Sequence, residues 1–142
     1  MMTYREIFLQ ADPHTVNDIF CCKFTYPYRT EQAFNICKGF KFYAQDMRLD
    51  VSEEEEVQKI LNDHKPQFKW TRKQAQVFVV ARRGWLSAAC EALGYNQPHN
   101  PDDVVIEWLD QTIPDDGADV NQLAANIISK LIKDNIKRYE RL

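Results

Sequence analysis

From Ala118 to Tyr139, apolar residues return every three or four positions: Val120, Leu123, Ala124, Ile127, Ile128, Leu131, Ile132, Ile136 and Tyr139. That period marks an α-helix with one buried face. Asp119 stands near its start, while Lys130, Lys133, Lys137, Arg138 and Arg141 gather toward its end, so both poles of the helix dipole are complemented. About 22 residues rising ~1.5 Å each reach roughly 33 Å, enough to cross a domain of this size. A stripe that long needs other elements laid against it. The chain is therefore expected to fold as one all-α domain, residues 1–142, with this amphipathic C-terminal helix as its brace.

Helix starts recur through the rest of the sequence. Thr3 with Glu6, and Thr71 with Gln74, fit capping boxes. Ser52 precedes four glutamates, Glu53 to Glu56, which suit the positive pole of a dipole. Asp12-Pro13 and Asn100-Pro101 each set a capping side chain before a proline at the first helical position. Thr30 is placed to cap a helix from Glu31 to about Met47, with Ala33, Ile36, Cys37, Phe40, Ala44 and Met47 on one face. Gly39 falls inside that helix, where glycine costs about 1 kcal/mol relative to alanine. Gly84 punctuates the segment after Thr71, and a stripe from Trp85 to Leu93 follows, ending at Gly94. Six or seven helices result. Minor β-structure near 20–26 or at 77–80 is the competing reading, because FCCKFTY and VFVV are rich in strand formers. A strand at 40–42 is another rival. Ile113 to Gly117 reads as a turn, and 95–101 is the one candidate hinge.

Composition supports this picture. Hydrophobic residues at 44% and charged residues at 27% are globular averages, and four glycines are few for a β-rich chain. No apolar run approaches the roughly 20 residues that span a bilayer. The run MMTYREIFLQADP lacks the charged-then-apolar order of an export signal, so a cytoplasmic protein without a membrane partner is expected. Cys21, Cys22, Cys37 and Cys90 form no C-x-x-C pair and are expected to be free, buried thiols.

Catalytic and metal signatures are missing. The histidines at 14, 64 and 99 and the four cysteines lack the paired spacing of a zinc site. There is no nucleophile elbow, zinc-protease helix, phosphate loop or EF-hand loop. No cofactor, no metal and no enzymatic activity are expected.

What stands out is charge. From His64 to Cys90 there is no acid, but there are Lys65, Lys69, Arg72, Lys73, Arg82 and Arg83, interleaved with Phe68, Trp70, Phe78 and Trp85. From Glu91 to Asp119 there are eight acids and no Lys or Arg. Arg, Trp and Phe are enriched at interface hot spots. The expectation is a non-catalytic regulator, inhibitor or adaptor that engages a protein partner through a basic-aromatic face at 65–83. The residues assigned to that face are Lys65, Lys69, Trp70, Arg72, Lys73, Arg82 and Arg83. Opposite charge on two segments is also compatible with a homo-oligomer. The alternative is a nucleic-acid-binding regulator using the same stretch, with a helix-turn-helix-like arrangement at 72–93. Against it, WLSAACEAL offers almost no side chain able to read a base edge. A third outcome is that the basic stretch is neutralised within the fold, by Glu53–Glu56 or by Asp102–Asp110.

Overall fold

The structure, a computed structural model, describes residues 2–23, 31–49, 51–63, 69–94, 101–114 and 117–140. Within them the chain is all-α apart from one short strand pair. In order come β1 (Met2–Thr3), α1 (Tyr4–Gln10), α2 (Pro13–Lys23), α3 (Gln32–Ala44), α4 (Glu53–Asn62), α5 (Arg72–Ala92), α6 (Pro101–Leu109), β2 (Thr112–Ile113) and α7 (Val120–Glu140). The strands pair antiparallel, Met2 with Ile113 and Thr3 with Thr112.

Helix α3 is the hub. Helices α1, α2, α5, α6 and α7 all pack against it. Its buried side is Ala33, Ile36, Cys37, Gly39, Phe40, Tyr43 and Ala44. Gly39 marks the closest crossing with α5: a Cβ there would run into the Trp85 carbonyl and lie 2.7 Å from the Ala89 Cβ. The glycine that weakens α3 locally is what lets α5 approach it. The helix ends at Ala44 rather than near Met47, because Asp46 takes a left-handed backbone at φ 63° and turns the chain away. The proposed cap Thr30 lies outside the described residues.

Two apolar clusters form. The larger joins α1, α2, α3, α6, α7 and the second half of α5, through side chains such as Phe8, Phe20, Phe40, Leu86, Leu109 and Ile128. The smaller consists of Val57, Ala75 and Val79, with Ile60, Leu61 and Trp70 against it, and joins α4 to the first half of α5. Helix α7 braces α1, α2, α3 and α5, and its Asn135 amide donates to the carbonyls of Glu91 and Ala92, closing the end of α5 at 2.9 Å each. The side chains of Ile136 and Tyr139 lie outside the description.

The rival strand readings give way to helix: residues 77–80 lie in α5, 40–42 in α3 and Phe20–Lys23 in α2, while 24–26 lie outside the described residues. The described strands sit at Met2–Thr3 and at Thr112–Ile113 instead, the latter ending on the first residue of the stretch read as a turn. Gly84 does not break the chain into two helices: α5 is continuous for 21 residues. The reason is spacing. Ala75, Val79, Arg82, Leu86 and Ala89 are all buried, and their three- and four-residue steps run through Gly84 without a phase change. A glycine lowers helix propensity but does not end a helix whose buried stripe continues. The helix-turn-helix-like arrangement at 72–93 therefore does not form. The candidate hinge at 95–100 lies outside the described residues, and residue 101 opens α6.

Candidate protein-binding face on α5

The Thr71 hydroxyl accepts from the Gln74 amide and the Gln74 side chain accepts from the Thr71 amide, so α5 opens with a complete capping box. That start fixes the rotation of the helix and sorts the seven residues assigned from sequence. Lys65 lies outside the described residues. Lys69, Arg72 and Lys73 are exposed, and Trp70 is half-buried against the smaller cluster. Arg82 is 6% exposed and Arg83 half-buried.

The two inner arginines meet α4. Arg82 Nη2 lies 2.7 Å from Glu56 Oε2, and Glu56 itself is 3% exposed. Arg83 reaches the same carboxylate at 3.4 Å, donates to the Leu49 and Val51 carbonyls, and has Glu53 at 3.9 Å. On the outside, Arg72 pairs with Glu54. The glutamate run read as a helix start thus also receives three of the assigned cations. The acidic segment binds elsewhere. Asp110 pairs with Arg5 at 2.9 Å and Asp103 with Arg48 at 2.7 Å, while Asp102 accepts from the Tyr43 hydroxyl and the Leu49 amide.

The outside of α5 carries Val77, Val80 and Ala81 among Arg72, Lys73, Gln74, Gln76 and Ser87. Val77 is 64% exposed and Val80 60%, at positions where a globular helix ordinarily carries polar side chains. A surface groove of about 500 Å³ runs between Thr71, Lys73, Gln74, Val77, Phe78 and Ala81. Gly84 lies farther along the same helix, and a Cβ there would meet no atom within 4 Å. From Lys69 to Cys90 no acid interrupts this surface.

An aromatic seam borders it. Trp70 contacts Phe78 at 5.4 Å between centroids; Phe78 lies 6.4 Å from Phe42 and 6.5 Å from Trp85; Phe42 stacks on Trp85 at 5.6 Å. Phe34 continues the row against Trp85 at 6.3 Å. The Lys38 ammonium stands 5.3 Å from the Trp85 ring and within 6 Å of Phe34 and Phe42, close enough for cation–π attraction. Phe34, Lys38 and Phe42 were not among the residues assigned from sequence. Their signal was a four-residue row on α3 beside the core stripe.

The two buried thiols, Cys37 and Cys90, are not placed for nucleophilic chemistry. All four cysteines are free; Cys37 and Cys90 are buried, but Cys22 is exposed and Cys21 half-buried, which corrects the expectation that all are inside. Burial pushes the Cys37 thiol up to about 12. Burial likewise raises Cys90, beside the Tyr43 hydroxyl at 3.1 Å, and such thiols are poor nucleophiles at neutral pH. Among the described residues no three His, Cys, Asp or Glu side chains gather to hold a metal, and no helix is long and apolar enough to cross a membrane. No protein-family model, curated protein or solved structure matches the chain.

Proposed function

We propose that the protein acts by binding rather than by catalysis, and that its partner is another protein docked along the outward face of α5. The observation that carries this reading is the exposure of Val77 and Val80, both at 60% or more, beside a groove walled by Phe78. An apolar strip rimmed by charge is what an amphipathic helix lays its own apolar face into. Lys69 and Lys73 at the start of the strip, with no acid until Glu91, favour a partner helix carrying acidic residues at the matching end. The binding face keeps Lys69, Trp70 and Lys73 from the sequence reading. It adds Val77, Phe78, Val80 and Ala81, whereas Arg82 and Arg83 support it from behind by holding α5 on α4.

The test is photo-crosslinking in native cells from a reactive residue placed at 77 or 80, with Asn126 on α7 as the control position. One dominant adduct, mapped to an acidic amphipathic segment and lost when Lys69 and Lys73 are changed to Glu, is the expected result. Adducts only to the chain itself identify the face as a self-association surface. Adducts no different from those at position 126 overturn the proposal.

A further inference from the structure

A second concave site lies on the other side of α5, and nothing in the protein-binding reading uses it. It is a cleft of about 300 Å³ between the turn after α3, helix α4 and Arg82, with Asp46, Arg48, Glu56, Lys59 and Asp63 among its charged lining. Met47, Val51 and Ile60 supply an apolar wall. That volume is at the lower end of the range for small-molecule sites.

The inner wall is not electrostatically closed. Glu56 touches both Arg82 and Arg83, so one buried carboxylate serves two guanidinium groups, and the next carboxylate, on exposed Glu53, is 3.9 Å from Arg83. The 2.7 Å approach of Arg82 to Glu56 is charge on charge rather than a directed hydrogen bond. It leaves Arg82 Nε and Glu56 Oε2 without hydrogen-bond partners among the described residues. Both side chains are more than nine-tenths buried, where an unpartnered polar atom is costly and calls for an explanation. The unpartnered Arg82 Nε, on a cationic side chain of the cleft wall, favours an acceptor there. Arg48 is held by Asp103, which leaves Lys59 as the second cation facing the cleft. At the mouth the sign reverses: the exposed carboxylate of Asp46 favours a cation.

We propose that this cleft binds a free α-amino acid with an aliphatic or thioether side chain. Its carboxylate turns inward to Arg82 and Lys59, its ammonium lies at Asp46, and its side chain rests on Met47, Val51 and Ile60. Positive charge within, negative charge at the rim and an apolar wall together match that zwitterion, and a ligand carrying one charge satisfies only half of the site.

Two variants test it without disturbing the buried pair. Asp46→Gly removes the rim carboxylate at a left-handed position that glycine adopts without strain, and Lys59→Gln changes an exposed side chain. Amide shifts of isotope-labelled protein are followed during titration with alanine, valine, leucine, isoleucine and methionine, and with N-acetyl-leucine and leucinamide. At least one free amino acid is expected to give saturable shifts around Met47, Val51 and Ile60 at millimolar concentration. Both blocked analogues and both variants should weaken that binding by roughly tenfold or more, the loss of one charge-assisted contact. Absence of saturation by any of the five overturns the proposal. So does equal binding of either blocked analogue, or unchanged binding by the variants.

Discussion

At the scale of single residues, two interior glycines with the same sequence appearance have opposite meanings. Gly39 sits where α3 and α5 cross, and an added Cβ meets the Trp85 carbonyl and Ala89. Gly39→Ala is expected to destabilise by about 1–3 kcal/mol or more through overpacking. Gly84 faces open space, so Gly84→Ala is expected to stabilise by up to about 1 kcal/mol, the propensity difference alone. Urea-denaturation midpoints of the two variants decide the matter: a shift in the same direction for both is incompatible with this geometry. If α5 carries a docked helix, Gly84→Ala should also weaken crosslinking from position 80 while stabilising the fold. That split separates a binding role from a structural one. The sequence shows both glycines inside helical patterns. It does not show which of them lies under a helix some 50 positions away.

At the scale of elements, the helix starts were legible because caps are local chemistry. Thr3 and Thr71 make the reciprocal bonds their spacing implies, and Ser52 accepts from the Glu55 amide. The continuity of α5 was not read from the sequence: Gly84 made the stretch look like two helices, although the buried steps from Ala75 to Ala89 run through it. Less legible was the division of labour among four consecutive glutamates. Glu56 lies one turn before Ile60, on the side of α4 that packs against α5, whereas Glu54 points to solvent. Glu56→Ala leaves Arg82 buried without its counter-charge and is expected to cost about 3–5 kcal/mol. Glu54→Ala removes an exposed pair with Arg72 and should cost less than about 1 kcal/mol. Equal denaturation midpoints for these two variants would sink the claim that α4 holds α5 through a buried charge pair.

At the scale of the whole molecule, part of the charge segregated along the sequence is met, among the described residues, by ion pairs between elements distant in the chain. The α4 glutamates take Arg72, Arg82 and Arg83, and Arg5 and Arg48 take Asp110 and Asp103. Residue order announced two opposed blocks, and only the packing of α4 on α5 decided that they do not face each other. The core holds a further set of titratable groups around α3, and these tie global stability to pH. Burial raises Cys37 to about 12 from an ordinary 9.0, and Cys90 and Tyr43 also move upward, chiefly by desolvation. A raised value means that the folded chain keeps a proton the unfolded chain releases. The unfolded state then binds fewer protons, so stability must fall as pH rises. The contribution of Cys37 is intact below about 9 and declines as pH climbs toward 12, by at most about 1.4 kcal/mol per pH unit. Cys37→Ala should be less stable than wild type near neutrality, because it loses packing in the α3 core. Between about pH 8 and about pH 10.5, however, its urea midpoint should fall less than that of wild type, since one of the proton-linked groups is gone. Parallel losses for the two proteins over that interval would show that Cys37 does not retain its proton in the folded core.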